Sequence, residues 1–126
     1  MQRRVLVVDD ESTIRLTTAA ILETKGFEVQ TASCTQEALA AMSAVQFDLI
    51  VTDLKMETDT AGFDVAEFAA KQTSHPIIIM VSAYPKLAAE WKERGVHVFF
   101  EKPTETLVLL RSIEQLLSRQ HKPMAA

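Results

Sequence analysis

Residues 5–11, VLVVDDE, set four aliphatic side chains directly against three acids. The run from Val5 to Val8 is too short for an independent helix and rich in β-branched residues, so it reads as a buried strand. Asp9, Asp10 and Glu11 then stand at that strand's carboxyl end. Two other runs have the same character: Leu49 to Val51, with Phe47 before it, and Ile77 to Val81. Between the runs, residues fall at helical spacing: Ile14, Thr18, Ile21 and Leu22; then Ala38, Ala41, Met42 and Val45; then Val65, Phe68 and Ala69. Alternating strand and helix is the pattern of an α/β fold.

Punctuation supports this division. Gly26 closes the first predicted helix, Thr35 is placed to cap the second, and Gly62 opens the third. Gly95 ends a fourth around Leu87 and Trp91, and Thr104 caps a fifth whose Leu109, Ile113, Leu116 and Leu117 form a core-facing stripe. Phe27 to Thr31 and Val96 to Phe100 mix apolar and polar positions, as edge strands do. With the three apolar strands central, right-handed crossovers favour a doubly wound, five-stranded parallel sheet in the order 2-1-3-4-5, a flavodoxin-like three-layer sandwich.

The 126 residues suit one domain, and 48% apolar content suffices for one core. Residues 1–121 are expected to form it, with 122–126 a tail or truncated linker. Asp and Glu exceed Lys and Arg, 17 to 13, so there is no basic field for direct nucleic-acid or membrane binding. The single cysteine, Cys34, and three scattered histidines give neither an internal disulfide nor a zinc spacing. The apolar stretch after Met1 to Arg4 is too short for a signal peptide, and a cytoplasmic location is expected.

In an open parallel sheet, ligands bind beyond the carboxyl ends of the strands. The residues standing there are Asp9, Asp10 and Glu11 after the first strand, Asp53 after the third, Ser82 after the fourth, and Glu101, Lys102 and Pro103 after the fifth. Neighbouring strands lie about 4.8 Å apart, so the carboxylates ending strands one and three crowd each other. Crowded carboxylates call for a cation, and an all-oxygen set without His or Cys favours Mg²⁺. Each residue alone has an ordinary reading, since Asp caps helices and forms turns and a Lys before Pro is often merely solvated. Their meeting at one sheet edge gives them a common chemical meaning. Ser82 has no G-x-S-x-G elbow and no activating His, so it reads as a hydrogen-bonding group and not a nucleophile.

The segments VLVVDDE, DLIVTDLKM, IIIMVSAY and FFEKP, in this order, resemble the receiver domain of two-component response regulators, from Arg4 to about Gln120. Singly they are weak signals; as a set they are specific. The resemblance implies a phosphorylation-dependent signalling switch, not a classical enzyme. Asp53 would accept a phosphoryl group from a histidine kinase or histidine phosphotransfer protein. Asp10, Asp53 and the Lys55 carbonyl would ligate Mg²⁺, with Asp9 acting through water. Ser82 and Lys102 would bind phosphoryl oxygens, and the Lys102–Pro103 bond would be cis. Ser82 and Phe99 would form the switch pair, with plain core packing the ordinary alternative for Phe99. Lys55 and Tyr84 match positions that modulate dephosphorylation. The expected output face combines the fourth and fifth predicted helices with the fifth strand, in a monomer or a weak phosphorylation-dependent dimer.

The chain departs from the family pattern in two places. After Asp53, DLKMETDTAGFD has Glu57 where a proline is usual and one extra residue before Gly62, so a less rigid loop is expected. Between Ser82 and Lys102 the chain is shorter by about two residues, and Arg94 replaces a small residue, so the fourth helix is expected to be short or shifted. Trp91 is compatible with either a partner contact or burial.

Three other readings compete. A flavin-binding domain would need a phosphate loop after the first strand, where Asp9, Asp10 and Glu11 would repel the phosphate. An aspartyl phosphatase would separate its nucleophile and acid by one residue, unlike adjacent Asp9 and Asp10. A receiver reduced to an interaction module would not require the acidic, Ser and Lys positions.

Overall fold

The computed structural model describes residues 2–120, so the expected tail, 122–126, lies outside the described residues. The chain runs β1 (Arg4–Val8), α1 (Ser12–Thr24), β2 (Glu28–Ala32), α2 (Thr35–Ala44), β3 (Leu49–Asp53), α3 (Ala61–Ala70), β4 (Ile77–Ser82), β5 (Val98–Glu101) and α4 (Thr106–Gln120). The strands form one parallel sheet in the order β2-β1-β3-β4-β5, as expected.

Side-chain alternation along the strands divides the core in two. Leu6, Val8, Ile50, Ile78 and Met80 face one way, onto Ala38 and Met42 of α2 and Val65 and Ala69 of α3. Val5, Val7, Leu49, Val51, Ile77 and Ile79 face the other way, onto Leu22 of α1 and Leu109, Ile113 and Leu117 of α4. The central strands are covered on both sides, which is why they read as continuous apolar runs. Full burial of one such side chain contributes about 1.5–3 kcal/mol.

Three predicted helix signals are corrected. Thr35 does not cap α2: it is the helix's first residue, the preceding Cys34 makes no side-chain capping bond, and the Thr35 hydroxyl donates to Glu57 instead. Thr104 turns back, its hydroxyl donating to the Glu101 carbonyl at 2.7 Å, while the first bonds of α4 run to the Glu105 carbonyl. The fourth predicted helix is a run of turns over residues 85–95, held by bonds of mixed span such as Ala89 N–H to Lys86 O, Arg94 N–H to Glu90 O and Val96 N–H to Trp91 O. Ala88 is the one fully buried residue of that run, with Trp91 half-buried against the core, and this limited burial does little to reward a regular helix. Gly95, at φ +91°, reverses the chain at its end.

The other landmark of the segment is Arg94, whose Nε donates to Glu67 of α3 at 2.7 Å while its guanidinium lies over the Phe63 ring, 4.5 Å from the centroid. Trp91 is half-buried and stacked on Phe99, with ring centroids 6.1 Å apart and planes at 22°.

Candidate phosphoacceptor site

The sheet ladder continues one residue past two strands. Asp9 N–H donates to Ala32 O, and Lys102 N–H donates to Ser82 O at 2.8 Å. Alternation therefore carries to the strand ends and beyond: Asp9 stands two residues after Val7, Asp53 two after Val51 and Lys102 two after Phe100, all on the α1/α4 side. Ser82 follows Met80 and lies on the other side with Phe99, whose strand partner is Met80.

The result is a compact charged cluster. Lys102 Nζ donates to Asp53 Oδ2 at 3.1 Å and to Asp9 Oδ2 at 3.2 Å. The carboxylate side chains of Asp9 and Asp53 are only 8% and 11% exposed, so this ammonium is the main compensation for two nearly dry charges. Asp9 Oδ1 also accepts from Glu11 N–H and Asp53 Oδ1 from Leu54 N–H. The Lys102–Pro103 bond is cis.

Burial pushes the Asp53 carboxyl above the ordinary aspartate range; the Lys102 ammonium pulls it back and the Asp9 carboxylate adds to the rise. Burial alone would lower Lys102, but the carboxylates of Asp53 and Asp9 outweigh it and leave the ammonium more firmly protonated than usual. At Asp53, burial outweighs what this one ammonium supplies.

Asp10 is exposed beside this pair, and oxygens of Asp9, Asp10 and Asp53 lie within 4.8 Å of one another. Three hard oxygen donors, crowded and short of positive charge, with no His or Cys among them, fit Mg²⁺.

Ser82 is fully buried, and its Oγ accepts the Tyr84 N–H at 3.0 Å. Lys55 and Tyr84 meet: the Lys55 ammonium lies 4.7 Å from the Tyr84 ring centroid and 3.9 Å from Asp59 Oδ1. Phe99 is not in the cluster; it is half-buried on the opposite side of the sheet against Trp91. Below the charged mouth, a largely apolar cleft of about 630 Å³ runs between α1 and α4, lined by Thr17, Val51 and Leu109 among others.

Two neighbours were not foreseen. Arg15 Nη1 donates to the Asp9 carbonyl at 2.8 Å, placing a second cation near the first strand's end. Its position one turn after Glu11 was the available signal. Glu57 reaches α2, and nothing in the local sequence marks a partner 22 residues away.

The response regulator receiver domain family matches residues 5–114, and the chain belongs to it. Receiver domains are signalling domains of two-component systems, and they typically bind Mg²⁺ at an aspartate cluster. The chain is 31% identical to a CheY-like receiver domain protein from Methanospirillum hungatei, with TM-score 0.88 over 97% of this chain and 98% of that one. It is 31% identical over 93% of its length to the transcriptional regulatory protein PdtaR of Mycobacterium tuberculosis, of which it spans 58%. It is 32% identical over 89% of its length to the CAI-1 autoinducer sensor kinase/phosphatase CqsS of Vibrio cholerae, of which it spans 17%. No helix among the described residues is long and apolar enough to cross a membrane.

Proposed function

We propose that this receiver domain is a phosphorylation-dependent switch in which Asp53 accepts a phosphoryl group from a histidine kinase or a histidine phosphotransfer protein. The observation that carries the reading is the Lys102 ammonium fixed between Asp53 and Asp9, at 3.1 and 3.2 Å, at the carboxyl edge of the sheet. A carboxylate oxygen of Asp53 attacks phosphorus, the P–O bond forms as the P–N bond to the donor imidazole breaks, and the bond's electron pair leaves with the ring nitrogen. The transition state is loose and its charge lies on the equatorial oxygens, so the site's work is positioning and positive charge.

Lys102 supplies one charge on a flexible stem. Ser82 Oγ already accepts the Tyr84 N–H, which leaves its O–H to donate to a phosphoryl oxygen. Asp10, Asp53 and the Lys55 carbonyl would hold Mg²⁺, with Asp9 acting through water; the bound ion supplies the remaining positive charge at the phosphoryl oxygens. Engagement of Ser82 by the phosphate would be read by Phe99 on the same side of the sheet and passed to the 85–95 segment, β5 and α4. The domain would work in the cytoplasm without contacting nucleic acid itself, as a monomer or a weak phosphorylation-dependent dimer.

Mass spectrometry after acetyl phosphate treatment with Mg²⁺ tests the acceptor. Wild type should gain one phosphate and Asp53→Asn none. A wild type that neither gains phosphate nor responds to beryllofluoride would overturn the reading in favour of an interaction module.

A further inference from the structure

The loop after β3 is fastened at its origin. Leu54 N–H donates to Asp53 Oδ1, the Leu54 carbonyl accepts from Gly62 N–H at 2.8 Å, and the Leu54 side chain is fully buried. Three residues later it is fastened again. Glu57 Oε2 accepts from Thr35 N–H at 2.9 Å, and Glu57 Oε1 accepts from the Thr35 hydroxyl at 3.0 Å. Thr35 opens α2, whose preceding Cys34 offers no side-chain bond. The first N–H groups of a helix lack internal partners and carry the positive end of its dipole, so a carboxylate is favoured there.

The loop expected to be less rigid for want of a proline carries these two tethers in its place. A proline would restrain the loop through its ring; Glu57 restrains it through two hydrogen bonds to another element. Only Lys55 and Met56 lie between the two fastenings, and Met56 packs against the core. The position of the Lys55 carbonyl is bounded on both sides.

We propose that Glu57 is a positioning residue of the cation site: by clamping the loop to the start of α2 it fixes the backbone at Lys55, whose carbonyl would be a Mg²⁺ ligand. The proposal rests on the phosphoacceptor reading for the role of that carbonyl. Glu57 is not one of the three clustered carboxylates, so its effect is transmitted through the backbone and not by direct ligation.

Calorimetric titration of the full chain with MgCl₂ at fixed ionic strength, paired with thermal unfolding in EDTA, tests it. Glu57→Ala should weaken Mg²⁺ affinity roughly tenfold, in the range of lost supporting contacts at metal sites. Glu57→Gln, which keeps an acceptor for Thr35 N–H but no charge, should weaken it by no more than about threefold, and Thr35→Val by a similar factor. The Glu57→Ala, Thr35→Val double variant should bind no more weakly than Glu57→Ala, because the two changes remove one clamp. Equal losses for Gln and Ala would assign the effect to charge and overturn the proposal. So would additive losses in the double variant, or a lowered melting temperature with unchanged Mg²⁺ affinity in Glu57→Ala. In the same titration, unchanged affinity in Asp53→Asn would sink the cation-site reading itself, whatever Glu57 does.

Discussion

Asp53 and Lys102 form an ion pair at 3.1 Å in which both partners have raised pKa values. A simple pair lowers the acid and raises the base. Here burial outweighs the Lys102 ammonium at Asp53, and the Asp9 carboxylate, which shares that ammonium, adds to the rise.

The sign of the pH dependence follows. Because the Asp53 carboxyl lies higher in the folded chain than in the unfolded one, its favourable contribution is fully present below the unfolded value. That contribution is lost as pH rises through the folded value. At neutral pH without metal, ionised Asp53 is therefore a net cost to the fold. Asp53→Asn should melt at a higher temperature than wild type at pH 7 in EDTA, with the gap closing toward acid. Circular dichroism melts across pH 4 to 8, about the useful range for aspartate linkage, would reject this if the variant melted lower throughout.

Lys102→Ala should act in the opposite direction. It leaves two nearly buried carboxylates without their shared donor, at a cost of about 1–3 kcal/mol in metal-free buffer. Chemical denaturation with and without Mg²⁺ measures it, and added Mg²⁺ should recover part of the loss. Labelling by acetyl phosphate should slow by at least about tenfold, equivalent to one charge-assisted contact in the transition state. Labelling at the wild-type rate would remove Lys102 from the chemistry.

Gly62→Ala is expected to be among the most damaging single changes. A Cβ there would collide with the Asp53 carbonyl oxygen and come within 2.7 Å of the Leu54 Cα, backbone atoms that cannot swing aside. A loss exceeding about 2 kcal/mol in urea unfolding is expected. A neutral result would mean that the start of α3 shifts freely.

The contact of Lys55 with Tyr84 should appear in the lifetime of the phosphorylated form. A cation–π contact at an exposed site is worth about 0.5–1 kcal/mol, or roughly two- to fivefold in rate if it restricts the approach of water. Lys55→Ala and Tyr84→Ala should each shorten the lifetime by such a factor. The double variant should decay no faster than the faster single one. Decay rates unchanged from wild type would exclude the pair from control of hydrolysis.

The sheet was legible because its central strands are covered on both faces and so lack polar interruptions, from Val5 to Val8 and from Ile77 to Val81. The strand-end acids, Ser82 and Lys102 were legible because strand order and spacing place their backbones at one edge. Helix ends were less so. Thr35 and Thr104 have the right chemistry for caps, but their hydroxyls found Glu57 and the Glu101 carbonyl. Glu57 is 22 residues from Thr35 and is brought there by tertiary approach, which local propensity does not encode; the Glu101 carbonyl lies three residues before Thr104, a local turn bond that competes with capping. The 85–95 segment is not a regular helix: its Ala, Lys and Glu residues favour helix locally, but Leu87 stays exposed and Trp91 only half-buried, so Ala88 alone is fully covered and packing adds little.

The sheet is one residue thick, and alternation places Asp9, Asp53 and Lys102 on one side of it with Ser82 and Phe99 on the other. Receipt of a phosphoryl group and its announcement would thus occupy separate rooms that meet at a rim, where Ser82 would belong to both. Substitutions facing α1 and α4 near that rim should change how fast the domain is charged. Those on the Phe99 side, at Phe99 or at Trp91 stacked on it, should change what the charged domain says while leaving the rate of charging alone.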